Sequence, residues 1–99
     1  MVRYALLARF VAKPGKEAEV AAFLESALPL ARAEASTTVW FGLRLGEREF
    51  GVFDAFADEA GRQAHLTGPI AQALMAKAPD LFSEPPRIDK VDVLAAKLS

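Results

Sequence analysis

The sequence predicts an α+β protein with the ferredoxin-like order β-α-β-β-α-β and one four-stranded antiparallel sheet. Four segments are rich in β-branched and aromatic residues, and two segments carry apolar residues at helical spacing. Glycine and proline separate these segments. The 99 residues suit one domain and leave no room for two, so residues 1–99 are expected to form a single domain.

The first half of the chain predicts a strand followed by a helix. The strand is "VRYALLARFV", Val2–Val11, and the turn "KPGK" follows it. Apolar residues then recur at helical spacing, at Val20, Phe23, Leu24, Ala27 and Ala31. Pro29 falls within this pattern and removes one backbone donor, so it is expected to kink the helix or end its regular part.

The middle of the chain predicts a hairpin. "TTVWFGLRL", Thr37–Leu45, is expected to be the second strand, and "FGVFDAF", Phe50–Phe56, the third. The intervening "GERE" supplies the turn.

The second helix is expected in two pieces. Asp58 offers a cap for "EAGRQAHL", Gly68-Pro69 interrupts the pattern, and "IAQALMAKA" continues it until Pro79 ends it. The double proline at 85–86 forces extended chain. The alternating segment "IDKVDVLAAKL", Ile88–Leu98, then predicts the last strand.

Composition excludes several classes of site. The net charge is −1 with scattered basic residues, so neither a nucleic-acid surface nor a basic membrane-binding face is predicted. The chain has no cysteine, which excludes disulfides and thiolate chemistry. The first residues are too charged for a signal peptide, and the longest uncharged run, 63–76, is too short to cross a bilayer. A soluble cytoplasmic protein is therefore expected.

The sheet is expected to have one face that the helices leave uncovered. Two helices cover only one side of four strands, yet the first three strands are apolar on both sides. A solvated face would carry more polar residues. We therefore expect a homodimer in which the two sheets pack face to face, since a two-fold dimer is the simplest closed arrangement.

Three stretches, "ARFVAKPGKEAEV", "FDAFADEAGRQAHL" and "EPPRIDKVDVL", resemble the antibiotic biosynthesis monooxygenase family in their order and spacing along nearly the whole chain. That family comprises small dimeric α/β-barrel proteins, quinol monooxygenases among them. The resemblance implies a pocket between the sheet and the helices of each subunit. It also implies oxygenation of a small phenol or hydroquinone without flavin, haem or metal, so no cofactor is expected. The substrate would lose a proton, its anion would give an electron to O2, and the two radicals would recombine.

Two positions depart from the family pattern. Ile70 stands where relatives often have a second histidine after "HL-x-x-P", and Phe56 stands where they often have tryptophan. In related haem-degrading enzymes the functional asparagine and histidine correspond to Ala8 and the stretch 74–76 here, which offers no haem ligand.

His65, the single histidine, is the candidate catalytic base because its unperturbed pKa lies near neutrality. The alternative is a histidine that bonds a nearby carbonyl and fixes the helix end. Asp54 is the candidate for orienting it, but an exposed charge at the sheet edge or the dimer rim is the interpretation that the sequence favours. For Arg9 and Arg44 an interface ion pair is favoured over anion stabilisation.

The pocket is expected to be apolar, with a few polar groups. Its predicted lining is Leu6, Ala8, Trp40, Phe56, Leu66, Ile70, Leu74 and Phe82. Core packing is the alternative for Trp40, and Phe82 is expected either to form a lid or to plug the end of the core.

Two functions follow. The first is a cofactor-independent monooxygenase acting on a small aromatic or quinol, and the second is a non-catalytic dimeric module that binds an apolar ligand or serves as a structural subunit.

Overall fold

The computed structural model describes residues 2–98, and it has the predicted ferredoxin-like α+β fold. The four strands form one antiparallel sheet in the order β2-β3-β1-β4, with the helices against one face. The strands are β1 (Tyr4–Val11), β2 (Val39–Arg44), β3 (Glu49–Phe56) and β4 (Arg87–Asp92), and the helices are α1 (Glu17–Ser26), α2 (Leu28–Ala33), α3 (Glu59–Leu66) and α4 (Pro69–Leu81).

The register of the sheet brings three residues into one row beneath the helices. Asp54 on β3 lies opposite Leu6 on β1 and opposite Trp40 on β2. Residues directly opposite one another across antiparallel strands point to the same face of the sheet. This row therefore places a carboxylate and an indole side by side on the face that the helices cover.

The main core lies between this face and the helices. Phe10 and Phe82 stack with ring centroids 5.1 Å apart and an interplanar angle of 9°. Phe50, Val20 and Leu24 belong to the same buried cluster. Burying a phenylalanine or leucine side chain stabilises the fold by about 1.5–3 kcal/mol, so this cluster holds the helices on the sheet.

Proline divides the first helical region as predicted but does not end the last one. α1 stops at Ser26, and Pro29 occupies the first turn of α2. Backbone N–H groups in a first turn have no partner within the helix, so the N–H that proline lacks removes no helical hydrogen bond there. The prediction that Pro79 ends α4 is wrong, because the helix continues to Leu81. Lys13 holds this last turn, since its backbone amide donates to the Leu81 carbonyl at 2.8 Å and its Nζ to the Pro79 carbonyl at 2.6 Å.

The last strand is shorter than predicted. β4 ends at Asp92 rather than at Leu98, and Asp92 lies opposite Tyr4, the first residue of β1. Beyond this pair one further bond forms, from the Val93 amide to the Arg3 carbonyl at 2.8 Å. A strand cannot continue where its partner strand has ended, which explains why Leu94 is 92% exposed.

The face without helices carries apolar side chains on all four strands. Phe41 on β2 is 55% exposed, and Leu7, Phe53 and Val91 are half-buried. Across residues 2–98, no helix has both the length and the apolar character needed to cross a membrane.

Candidate active site

A cavity of about 40 Å³ lies between the sheet and the helices, beside His65 and Asp54. Six of the eight predicted pocket residues line it, namely Leu6, Ala8, Trp40, Leu66, Ile70 and Leu74. The other two predicted pocket residues, Phe56 and Phe82, are not part of its lining. Phe56 is fully buried with its ring centroid 5.4 Å from that of His65, and Phe82 fills the core against Phe10 as a plug rather than a lid.

Local structure directs His65 toward the cavity. Asp58 caps α3, since its Oδ1 accepts from the Gly61 amide at 2.7 Å. The helix ends at Leu66, before Gly68-Pro69, so His65 lies in its last turn. The side chain is only 8% exposed. The histidine therefore points beneath the helix rather than toward solvent.

Asp54 is the partner of His65 on the sheet. Its Oδ2 lies 2.7 Å from Nε2 of His65, and the residue is only 1% exposed. The expectation of an exposed charge at a sheet edge or dimer rim is wrong. β3 is an inner strand of the sheet, and the alternation of its side chains turns Asp54 to the helix side, together with Val52 and Phe56.

Glu34 is a second partner of His65 that the sequence analysis missed. It directly follows α2, and its Oε1 lies 2.6 Å from Nδ1 of His65 and accepts from the Thr37 hydroxyl at 2.7 Å. The two residues are 31 positions apart, and no spacing signal links them. The only local signal is a single carboxylate within the small-residue stretch "RAEAS".

The two carboxylates determine the protonation of the ring. A neutral imidazole has one N–H donor, whereas both ring nitrogens of His65 face carboxylate oxygens here. Burial lowers the pKa of His65, but the hydrogen bonds and charges of Asp54 and Glu34 outweigh burial and raise this pKa to about 9. His65 is therefore an imidazolium at neutral pH and donates from both nitrogens. The role of His65 as a catalytic base stays a prediction, and in that role the ring would first have to lose a proton to the carboxylates or to solvent.

Two polar atoms at the cavity have no hydrogen-bond partner within residues 2–98. They are Oδ1 of Asp54, an acceptor, and Nε1 of Trp40, a donor. Buried polar atoms are nearly always paired in folded proteins, so each unpaired atom calls for an explanation. Both residues line the cavity and lie opposite each other across β2 and β3. A hydroxyl group offers both a donor and an acceptor, which are the partners that these two atoms lack.

The two arginines that the sequence suggested for ion pairs lie on β1 and β2. Arg9 is exposed, and Arg44 donates from Nη1 to the Glu47 carbonyl at 3.1 Å and stacks over Phe50 at 4.6 Å. Neither residue lines the cavity. Among residues 2–98, no group of three or more histidine, aspartate or glutamate side chains could hold a metal ion.

A comparison with protein-family models found no match, and neither did a comparison with curated proteins. Solved structures do match. The NE2512 protein of unknown function from Nitrosomonas europaea is 65% identical, with a TM-score of 0.98, and the match covers 100% of this chain and 96% of that one.

Two further matches share the fold at low identity. A putative antibiotic biosynthesis monooxygenase from Caulobacter crescentus has a TM-score of 0.80 at 18% identity, covering 95% of this chain and 92% of that one. A putative antibiotic biosynthesis monooxygenase from Nitrosomonas europaea has a TM-score of 0.82 at 14% identity, covering 93% of this chain and 99% of that one. The resemblance found in the sequence is thus confirmed at the level of the fold. The chain belongs to the same family as the NE2512 protein of Nitrosomonas europaea, and it has the fold of proteins described as antibiotic biosynthesis monooxygenases.

Proposed function

We propose that the protein is a cofactor-independent monooxygenase that acts on a small phenol or hydroquinone. The observation that carries this proposal is the buried Asp54 carboxylate, which His65 holds by one oxygen and whose other oxygen is unpaired beside an apolar cavity. Apolar walls with one or two placed polar groups are typical of small-molecule sites. The monooxygenases that share this fold support the choice of chemistry.

In the proposed reaction the substrate supplies both electrons. A phenol and O2 give a quinone and water: a ring C–H becomes C=O with one oxygen atom of O2, and the other oxygen atom leaves as water. The first step transfers one electron from the substrate to O2 while the hydroxyl proton moves to the protein. The organic radical and the reduced oxygen then combine, which forms a bond between a ring carbon and one oxygen atom. The O–O bond breaks as that carbon loses its hydrogen and becomes C=O, and this hydrogen and the hydroxyl proton leave with the outer oxygen atom as water.

Asp54 is the catalytic residue in this scheme. The substrate hydroxyl donates to its Oδ1, and the carboxylate takes the proton as the electron leaves, which avoids a full positive charge on the phenol. His65 is a positioning residue, because it touches Asp54 rather than the substrate. By donating to Oδ2 it fixes the plane of the carboxylate and leaves only Oδ1 for the substrate. Glu34 holds the imidazolium from its other side.

The cavity must widen before it can accept a substrate. Its volume is about 40 Å³, whereas an engineered cavity that binds benzene measures about 150 Å³. The cavity in this conformation therefore has room for only one or two water molecules. This favours a protein that opens for its substrate and closes around it, which would exclude bulk water from a reactive radical.

The closed cavity also favours the second candidate function, a module that binds a small apolar ligand without turnover. Such a module would be stabilised by the ligand as its concentration rises. The two functions differ in one measurable quantity, the consumption of O2.

A homodimer through the bare sheet face is part of the proposal. Phe41 on the edge strand β2 is 55% exposed, and half-buried Phe53 and Leu7 continue the same row across β3 and β1. Light scattering on wild type and on Phe41→Glu tests this point, since a charge in a buried interface would favour the monomer. Met75→Glu is the matched control, because Met75 is 57% exposed but lies on α4, away from that face. A monomeric wild type at micromolar concentration contradicts the dimer.

O2 uptake with a panel of hydroquinones and phenols tests the enzyme. We expect wild type to consume O2 and the rate of uptake to fall about 100-fold or more in Asp54→Asn, because general acid–base groups contribute about 10²–10⁴-fold to reaction rates. Asp80→Asn removes an exposed carboxylate on α4 and serves as the control.

His65→Gln keeps a side-chain donor but cannot titrate. We expect wild-type uptake to fall as the pH passes about 9 and the variant to lack that fall. A purely structural His65 would leave the pH profile unchanged. Absence of uptake with every compound, together with saturable thermal stabilisation by the same compounds, would favour the binding module instead.

A further inference from the structure

The cavity lies next to a larger surface groove. This groove has a volume of about 530 Å³ and runs between β2 and the first helices, with Leu28, Leu43 and Phe50 in its walls. Only two residues line both spaces, Leu24 and Trp40. Trp40 and Leu24 therefore stand at the junction of the cavity and the groove.

The position of Trp40 favours movement of its indole. Trp40 lies on β2, which is an edge strand, and the residue is only half-buried. Its Nε1 is nevertheless buried and has no partner within residues 2–98, so this conformation leaves a donor unpaired. A conformation that pairs the indole N–H with a ligand or with water would remove that penalty.

Gly42 leaves room for a single methyl group next to the indole. It lies two residues after Trp40, on the same side of the strand. A Cβ atom at Gly42 would lie 3.4 Å from Cη2 and 3.6 Å from Cζ3 of Trp40, and 3.5 Å from Cβ of Leu24. These are ordinary contact distances, so a methyl group fits beside the resting indole. It would, however, occupy the space through which the ring would move toward the groove.

The charges around the cavity favour a neutral ligand. Asp54 and Glu34 together carry two negative charges against the one positive charge of His65. The nearest cation in the groove, Arg44, already donates to the Glu47 carbonyl and stacks on Phe50. A carboxylate ligand would thus meet a net negative site, whereas a hydroxyl group can donate to Oδ1 of Asp54 and accept from Nε1 of Trp40.

We propose that the cavity and the groove form one binding site, that Trp40 closes the passage between them in the free protein, and that the occupant is a neutral aromatic compound with a free hydroxyl group. Its hydroxyl pairs with Asp54 Oδ1 and Trp40 Nε1, and its remaining bulk extends past Trp40 into the groove. The inference deepens the proposed function and rests on it for the aromatic character of the ligand.

Trp40 is the only tryptophan, so intrinsic fluorescence reports on this residue alone. The probes are para-cresol, its methyl ether and toluene. We expect para-cresol to change the emission of Trp40 saturably. The methyl ether and toluene should bind about tenfold more weakly or worse, because neither can donate to the buried carboxylate. Equal affinity for all three compounds, or no saturable binding of para-cresol, overturns the inference.

Stopped-flow fluorescence with Gly42→Ala tests the passage. We expect the association and dissociation rates of para-cresol to fall together by about tenfold, a barrier increase of about 1.4 kcal/mol, while Kd stays nearly constant. Gly46→Ala is the matched control, since a Cβ there meets only Cβ of Glu49, at 3.8 Å. Unchanged rates in a folded Gly42→Ala protein refute the role of Trp40 as the closing residue.

A second variant covers the case in which Gly42→Ala fails to fold. Trp40→Phe has a smaller ring without an N–H, and calorimetry should show faster binding of para-cresol with lower affinity. Unchanged affinity and rates in this variant refute the inference as well. These binding measurements need no turnover, so the two proposals fail separately. If Gly42→Ala slows binding but no compound causes O2 uptake, only the oxygenase is refuted. If O2 is consumed but Gly42→Ala leaves the binding rates unchanged, only the inference is refuted.

Discussion

Replacing His65 with glutamine removes a buried cation that lies between two carboxylates. In the folded protein the pKa of His65 is raised from 6.5 to about 9. A group whose pKa is raised by folding stabilises the native state fully below its unfolded pKa, and this stabilisation is lost as the pH rises through the folded pKa. The contribution of His65 is therefore complete below pH 6.5 and disappears between pH 6.5 and about 9.

The size of this contribution follows from the two pKa values. The interval from 6.5 to about 9 corresponds to about 3 kcal/mol, at 1.36 kcal/mol for each pH unit. The side chain is only 8% exposed, so solvent screens its ion pairs weakly. Since a domain is typically stable by about 5–15 kcal/mol, this one residue would account for a large share of the total.

Urea unfolding of wild type and His65→Gln across the pH range measures this contribution. We expect the difference in unfolding free energy between the two proteins to be about 3 kcal/mol larger at about pH 6 than at about pH 10. Lys77→Gln removes an exposed charge and should show no such change over most of the range. A difference that varies by less than about 1 kcal/mol would refute the reasoning. NMR titration of the His65 ring checks the pKa directly.

Three further predictions concern the fold, and urea unfolding measures each of them. Asp58→Ala should lower the free energy of unfolding by about 1 kcal/mol, because it removes the hydrogen bond that the Gly61 amide donates to the cap. Asp58→Asn keeps a side-chain acceptor, so a smaller loss in this variant would attribute the effect to that hydrogen bond. Phe82→Ala should cost about 3–5 kcal/mol because the ring is 4% exposed within the core, and an effect below about 1 kcal/mol would contradict this packing. Gly51→Ala should destabilise by more than about 1 kcal/mol because its Cβ would lie 2.7 Å from the Ala8 carbonyl oxygen, and a neutral result would show that the strands can separate there.

Local patterns predicted the elements of the fold well, because turn and strand signals act over a few residues. Asp58, Gly68 and Pro69 mark the ends of α3 and the start of α4 as expected. The ends of elements that depend on distant partners were less accurate. β4 stops where β1 begins, and α4 continues past Pro79 because Lys13 holds its last turn.

The sequence singled out the apolar lining of the candidate site and His65, but not Glu34. Alternation along β1 correctly placed Leu6 and Ala8 beneath the helices, because the period of two is a local property of a strand. Asp54 was expected as an exposed charge at a sheet edge or the dimer rim, whereas it lies on an inner strand and is buried.

The sequence by itself determined the order of strands and helices, the apolar faces and the presence of a single titratable imidazole. Only the tertiary structure decided the chemistry of that imidazole. Glu34 approaches His65 from 31 residues away, and Asp54 approaches it from the sheet. The protonation of a buried group depends on which charges surround it in space, and hydrogen bonds across such sequence distances leave no periodic signal in the chain. The structure thus surrounds His65, the predicted base, with two carboxylates that raise its pKa to about 9.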